Sequence, residues 1–150
     1  MEIGSIIGSS PQAIAEASCR AMLAGDRVSH GLGIRLIDAG PGHASLGMAV
    51  REDMLNGFGT CHGGILFTLA DTALSCACNS HNRRSVAHHC SIVFLRPGGL
   101  GQQLVATATE RALNGRTGIY VVDIRDDLGQ TVGEFFGHSR IIEGQVVGTG

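Results

Sequence analysis

The sequence predicts an α+β fold in which one long central helix is wrapped by a curled antiparallel sheet. Three observations lead there. The stretch CHGGILFTLADTALSCACNS (residues 61–80) has the composition of a buried helix, and between Gly63 and Ser80 its only charged residue is Asp71. Four runs with strand character follow it, separated by turn chemistry. A helix without a charged face cannot lie on an open sheet that has one side in water, so the sheet packed on it must curl around it. The chain has 150 residues, enough for one domain with a full hydrophobic core and too few for two ordinary ones. The expected layout is one domain over residues 1–150 with its core at about 21–142, ending in a flexible, glycine-rich tail, GQVVGTG.

Residues 12–24 (QAIAEASCRAMLA) are helix formers throughout, with Ser10 before Pro11 as a start signal and Gly25 as a stop. This is a covering helix. From 33 to 51, GIRLIDAGPGHASLGMAVR reads as a hairpin around AGPG, because Ile34 and Leu36, then Leu46, Met48 and Val50, recur with the period of two of a half-buried strand. EDMLNGFGT is polar and broken by glycine, a loop that delivers the chain to the helix starting near Gly63. After the charged turn HNRRS, the runs VAHHCSIVFLR, QLVATATER, GIYVVDIR and TVGEFFGHSRII read as an antiparallel meander, joined through PGGLGQ, ALNGRT and DDLGQ. One long buried helix inside a curled antiparallel sheet is the hotdog fold.

Composition excludes several functions. A formal net charge of -2, with neither a basic arm nor a helix-turn-helix pattern, argues against nucleic acid. The 61–80 run has the length of a membrane span, but Asp71, Asn79, its hydroxyls and two leading glycines, without Trp or Tyr at either end, make it a soluble core helix. The start of the chain, MEIGSIIGSSPQAIAEASCR, shows neither a basic leader nor a continuous apolar core, which points to the cytoplasm. Five cysteines is an odd number, and Cys61, Cys76 and Cys78 sit in or beside the apolar run as reduced, buried cysteines do. Cys76 and Cys78 face nearly opposite ways on a helix and no CxxC pair exists, so no metal site is expected even with His62, His88, His89 and Cys90 counted, and no cofactor either. Cys61 precedes a helix N-terminus, where a thiolate would be favoured, but it reads better as a small core residue. GHSRI lacks the closing glycine of a G-x-S-x-G serine hydrolase motif.

Asp71 is the residue that asks for a function. Its helical neighbours Phe67, Thr68, Leu74 and Ser75 include no cation, so its partner must come from elsewhere. Desolvating an unpaired carboxylate costs several kcal/mol, and such a residue persists where it is hydrogen-bonded, paired or at a wet pocket. A structural aspartate held by backbone or hydroxyl donors fits this spacing, and so does a catalytic one. The same helix opens with Gly63 and Gly64, which leave the first backbone N–H groups accessible at the positive end of the helix dipole, either for tight packing or for an oxyanion. Eight residues separate Gly63 from Asp71, about 12 Å along a helix. One helix cannot bring both onto a reacting centre whose contacts are near 3 Å. If they act together, two copies of the helix lie antiparallel across a homodimer interface and make two composite sites.

The motifs LNGFGTCHGG, LADTALSCACNS and SIVFLRPG, in this order and spacing, resemble those of the hotdog acyl-CoA thioesterases, in particular the phenylacetyl-CoA thioesterase group. The resemblance covers roughly residues 21–142. It implies that the backbone N–H of Gly63 polarises a thioester carbonyl and that Asp71 of the other subunit attacks or activates water. It further implies that Asn56 holds the nucleophile or carbonyl, that His62 supports the loop, and that Thr72 binds the carboxylate or its water. It implies acyl-CoA, aryl-acetyl above all, as substrate, and a pairing of dimers into a homotetramer in phenylacetate degradation. Gly64 joins the candidate substrate contacts through its open N–H. Alternation along VAHHCSIVFLR sends His88 and His89 to opposite faces, so at most one faces substrate, with His89 the candidate. Among Arg83, Arg84, Arg96 and Arg116, the coenzyme phosphates are assigned to Arg96 and Arg116. The competing classes are a non-catalytic acyl-CoA-binding hotdog module and a hotdog hydratase, whose acid–histidine motif is not found.

Overall fold

A computed structural model describes residues 9–148. The first eight residues of the stretch read for a leader, and the last two of the tail, lie outside the described residues. The first helix, α1 (Pro11–Ala24), starts as expected: the Ser10 side chain accepts from the Ala13 N–H at 3.1 Å, Pro11 fills the first turn and Gly25 ends the helix. A short α2 (Arg27–Leu32) was not legible as a separate element; Asp26 caps it through the Ser29 N–H at 3.0 Å, and Gly33 closes it at φ +69°. Then come β1 (Arg35–Gly40), β2 (His43–Ala49), a 3-10 turn (Glu52–Met54), α3 (Gly63–Cys78), β3 (Ser85–Phe94), β4 (Gln103–Asn114), β5 (Thr117–Arg125) and β6 (Thr131–Ile141).

All neighbouring strands pair antiparallel, in the order β1-β2-β4-β5-β6-β3. The expected four-strand meander is therefore corrected: β4, β5 and β6 form one, but β3 lies at the far edge beside β6. α3 packs against β2, β3, β4, β5 and β6, so the chain crosses the concave face as a helix and re-enters the sheet at the edge opposite β1. The expectation of a half-buried β2 also fails. Residues 44–48 are all buried, since Ala44, Leu46 and Met48 face the core while, on the other face, Ser45 pairs with Thr107 of β4 and side chains of β1 lie over Gly47. A Cβ on Gly47 would lie 3.0 Å from the Arg35 guanidinium and from Ile37.

α3 is enclosed as its composition demands. Leu69, Ala70, Ala73, Leu74 and Ala77 have no exposed surface, and Phe67 meets Phe135 of β6 edge to face at 5.0 Å between ring centroids. Close approach of sheet to helix requires glycine at 137, where a Cβ would come within 2.6 Å of Leu74. Among the described residues, no helix is long and apolar enough to cross a membrane.

Where it is described, the C-terminal tail is hydrogen-bonded to the body of the domain. Gly144 turns the chain at φ +108°, and the Asn82 side chain accepts from the Val146 and Val147 N–H groups at 3.0 and 2.8 Å and donates to the Val147 carbonyl at 3.1 Å. Val147 is 3% exposed. Glycine content lowers local propensity, but an apolar residue buried beside a three-bond clamp outweighs it.

Candidate active site

The loop before α3 is built by Asn56. Its Oδ1 accepts from the Phe58 N–H at 2.9 Å and the Thr60 N–H at 3.1 Å, and its Nδ2 donates to Thr60 Oγ1 at 3.1 Å. The side chain thus closes a tight turn of the kind asparagine favours. His62 is the N-cap of α3, its Nδ1 accepting from the Gly64 N–H at 2.9 Å, which places the ring proton on Nε2. The Gly64 N–H is thus spent on the cap. No hydrogen bond among the described residues uses the Gly63 N–H. Gly63 lines a cavity of about 370 Å³ together with Asn56, Thr60, Phe94 and Arg96. The Phe94 ring covers the glycine so closely that a Cβ there would lie 2.9 Å from its edge.

Asp71 lies elsewhere, two turns along α3. It lines a second cavity of about 480 Å³, between the end of α1, Asp26, α3, the start of β3 and the C-terminal segment. Its Oδ1 is buried and has no hydrogen-bond partner among the described residues. Among the described residues, that oxygen finds none of the donors that a structural aspartate would need. Burial pushes the Asp71 carboxyl above its ordinary value, and the charge of Asp26, which lines the same cavity, adds to the shift. Thr72 lines this cavity too, but its hydroxyl donates back to the Thr68 carbonyl at 2.7 Å and has only lone pairs left to offer. The two halves of the candidate site are therefore apart in one chain.

The remaining candidates separate. Arg96 borders the Gly63 cavity, whereas Arg116 lines a third hollow with Arg83 near the end of β6. His88 and His89 are both exposed on the edge strand. A bulge between Ala87 and His89 breaks the alternation that assigned them to opposite faces, and His89 packs against His138 of β6 at 5.5 Å between ring centroids. Cys61 is buried, with its thiol pushed up to about 11, which disfavours a nucleophilic thiolate. Among the described residues, no three His, Cys, Asp or Glu side chains converge as a metal site would need. Asp26 and Phe94 were missed by the sequence reading. The pattern Asp26-x-x-Ser29 marks a helix cap, but nothing in it reveals that the aspartate shares a cavity with Asp71.

The sequence of this helix and of the strands after it matches a family model described as "Thioesterase superfamily" over residues 58–132, half of the chain. The chain belongs to the thioesterase superfamily. This thioesterase is 44% identical over 131 residues to the acyl-coenzyme A thioesterase PaaI of Escherichia coli, covering 87% of this chain and 94% of the relative. The structure of the E. coli PaaI protein from the phenylacetic acid degradation operon superposes with a TM-score of 0.89 at 43% identity, over 91% of this chain and 99% of the other. A mutant of the phenylacetic acid degradation protein PaaI from Thermus thermophilus follows at a TM-score of 0.75 and 35% identity, over 78% of this chain and all of the other. A hypothetical thioesterase from Streptococcus pneumoniae, solved with coenzyme A, superposes at 0.71 with 27% identity, over 75% and 87% of the two chains. The expected hotdog is thus present in this thioesterase, with a curled rather than closed sheet, and the chain is a thioester hydrolase.

Proposed function

We propose that the chain hydrolyses acyl-CoA thioesters, aryl-acetyl-CoA such as phenylacetyl- or hydroxyphenylacetyl-CoA foremost, at cytoplasmic sites assembled across a homodimer of single-domain subunits. One observation carries this reading: among the described residues α3 bears an unused backbone N–H at Gly63 and a buried, unpartnered carboxylate oxygen on Asp71, in different cavities of one chain. An antiparallel second copy of α3 brings the Gly63 of each subunit to the Asp71 of the other. The edge strand supports the pairing, since Val93, Phe94 and Leu95 are 50–58% exposed along β3 and its neighbour loop, and an apolar edge invites a second strand. Ile119 and Phe136 on the convex face are what a dimer of dimers would cover. The coenzyme A bound by the S. pneumoniae relative and the activity named for E. coli PaaI support the substrate class.

In the reaction, the thioester oxygen accepts from the Gly63 N–H, and the helix dipole stabilises the oxyanion as charge develops. The ionised Asp71 of the other subunit takes a proton from water as the water oxygen adds to the carbonyl carbon, or adds to it directly. The carbon–sulfur bond then breaks and the coenzyme leaves as its thiolate; where Asp71 has added directly, water cleaves the resulting mixed anhydride, which releases the acid and restores the carboxylate. Asn56, with one amide hydrogen not committed to its loop, orients the water or the carbonyl. His62 positions Gly63 by capping the helix. Arg96 and Arg116 meet the coenzyme phosphates.

Thiol release from a panel of aryl- and alkyl-CoA thioesters, with crotonyl-CoA hydration followed in parallel, tests the reading. Release above the water rate, fastest with aryl-acetyl-CoA, is expected. Binding without release, or hydration instead, would overturn it.

The carboxylate pair gives a second test. Turnover needs ionised Asp71, so the acid limb of the kcat/KM profile reports its titration and lies above the ordinary aspartate value. Asp26→Asn keeps a competent cap for α2 and removes the charge that raises Asp71. Burial, the larger cause of the rise, is untouched, so the limb is expected to move to lower pH without reaching the ordinary value. An unmoved limb in a folded variant would mean that Asp26 does not act on the site.

A further inference from the structure

The C-terminal segment forms a wall of the Asp71 cavity. Gln145 and Val146 line it together with Ile142, opposite Met22 and Leu23 of α1 and the face of α3 that carries Asp71. This segment follows the last strand and belongs to no regular element, yet it is fastened. The Ile142 N–H donates to the Arg84 carbonyl at 2.7 Å, and the Arg84 N–H donates to the Gly144 carbonyl at 3.1 Å. Beyond the turn at Gly144, Asn82 takes over with its three bonds to Val146 and Val147. Asn82 is 6% exposed and has φ +59°, a left-handed conformation that among non-glycine residues asparagine tolerates best. A buried side chain held in that backbone state, with its amide spent on a terminal segment, is a dedicated clamp.

Resting on the thioesterase reading above, we infer that the strap of residues 145–147, clamped by Asn82, closes the acyl end of the Asp71 cavity and sets the largest acyl group the enzyme accepts. The thioester carbon must stand beside Asp71, and two limbs leave it. The coenzyme limb carries phosphates, which need cations and solvent. The acyl limb is apolar, and alongside polar groups that include Asp26 and Arg84 the Asp71 cavity offers it Met22, Leu23, Val86, Ile142 and Val146. The strap stands across the path of a longer chain. Beyond Gly144 its hydrogen bonds to the rest of the chain run to one asparagine, so its position depends on that clamp and on the burial of Val147.

The prediction is a change of selectivity. Asn82→Gly removes the clamp while keeping the backbone conformation, since glycine adopts φ > 0 freely; a chain shortened to end at Gly144 removes the strap. Val146→Phe keeps the clamp and fills the cavity. Measured as kcat/KM for decanoyl-CoA over phenylacetyl-CoA, the ratio is expected to rise about tenfold or more in the first two, the scale on which apolar pockets discriminate chain length. In Val146→Phe it is expected to fall by a similar factor. Far-UV circular dichroism and thermal melts identify the folded variants, and Val146→Phe decides the matter if the other two do not fold. A ratio unchanged in the folded variants would overturn the strap's role and leave the thioesterase reading intact. Absence of thiol release by the unaltered protein on every thioester would instead sink the function itself.

Discussion

Asp71→Asn is expected to fold normally and to release thiol at least about a hundredfold more slowly, the scale of losing a catalytic base. The replacement is isosteric and stays on the same turn of α3, so what is lost is the charge and the lone pair that accepts a proton or attacks carbon. Stability separates this outcome from a structural role. The native state holds the Asp71 proton more tightly than the unfolded chain does, because burial and then Asp26 raise its affinity. A group whose folded pKa is raised costs no stability below its ordinary value of 3.8; the cost grows as pH rises through the folded value and is complete above it. At neutral pH the amide removes that cost. The melting temperature should stay level or rise, and a stability gain over wild type should shrink as pH falls toward 4. A large fall in melting temperature, or near wild-type turnover in a folded variant, would contradict the assignment.

Two nearly inactive proteins are expected to restore each other. One carries Asp71→Asn. The other carries Gly63→Val, whose side chain would collide with the Phe94 ring, 2.9 Å from even a Cβ at that position, and obstruct the N–H. Phe94 is half exposed, so its ring can swing aside and the subunit can still fold. If each site takes Gly63 from one chain and Asp71 from its neighbour, a mixed dimer has one site with both lesions and one intact. In an equal mixture about half the dimers are mixed, so about a quarter of wild-type turnover should return after subunit exchange. If one chain supplied both groups, every site would carry a lesion and nothing would return. Native mass spectrometry confirms exchange, and a confirmed exchange without recovery would refute the interface site.

Most of the frame was legible in the order of residues. The covering helix, its Ser10–Pro11 start and Gly25 stop, the hairpin, the long helix from Gly63 and four strand runs all appear near where they were read. These depend on local chemistry: caps, turn glycines and apolar periodicity act over a few residues. α2 escaped because six residues carry too little periodicity to stand out. The place of β3 escaped for another reason. Strand partners are chosen by how α3 crosses the concave face, and no local pattern reports which edge the chain returns to.

The site divides in the same way. An isolated carboxylate in an apolar helix, two glycines at its start and the distance between them are properties of the sequence, because helix geometry converts residue number into length. Their consequence, that one chain cannot complete the site, was already present there. Only the tertiary structure decided which atoms are free. It spent the Gly64 N–H on His62 and left that of Gly63, and it left Asp71 Oδ1 without a donor. It also set Asp26 beside Asp71 and bound the glycine-rich tail to Asn82, more than sixty residues away. The physical reason is range. Propensity and periodicity are local and additive enough to be read along a chain, whereas desolvation, hydrogen-bond satisfaction and packing depend on which distant residues arrive together, and only the folded chain brings them there.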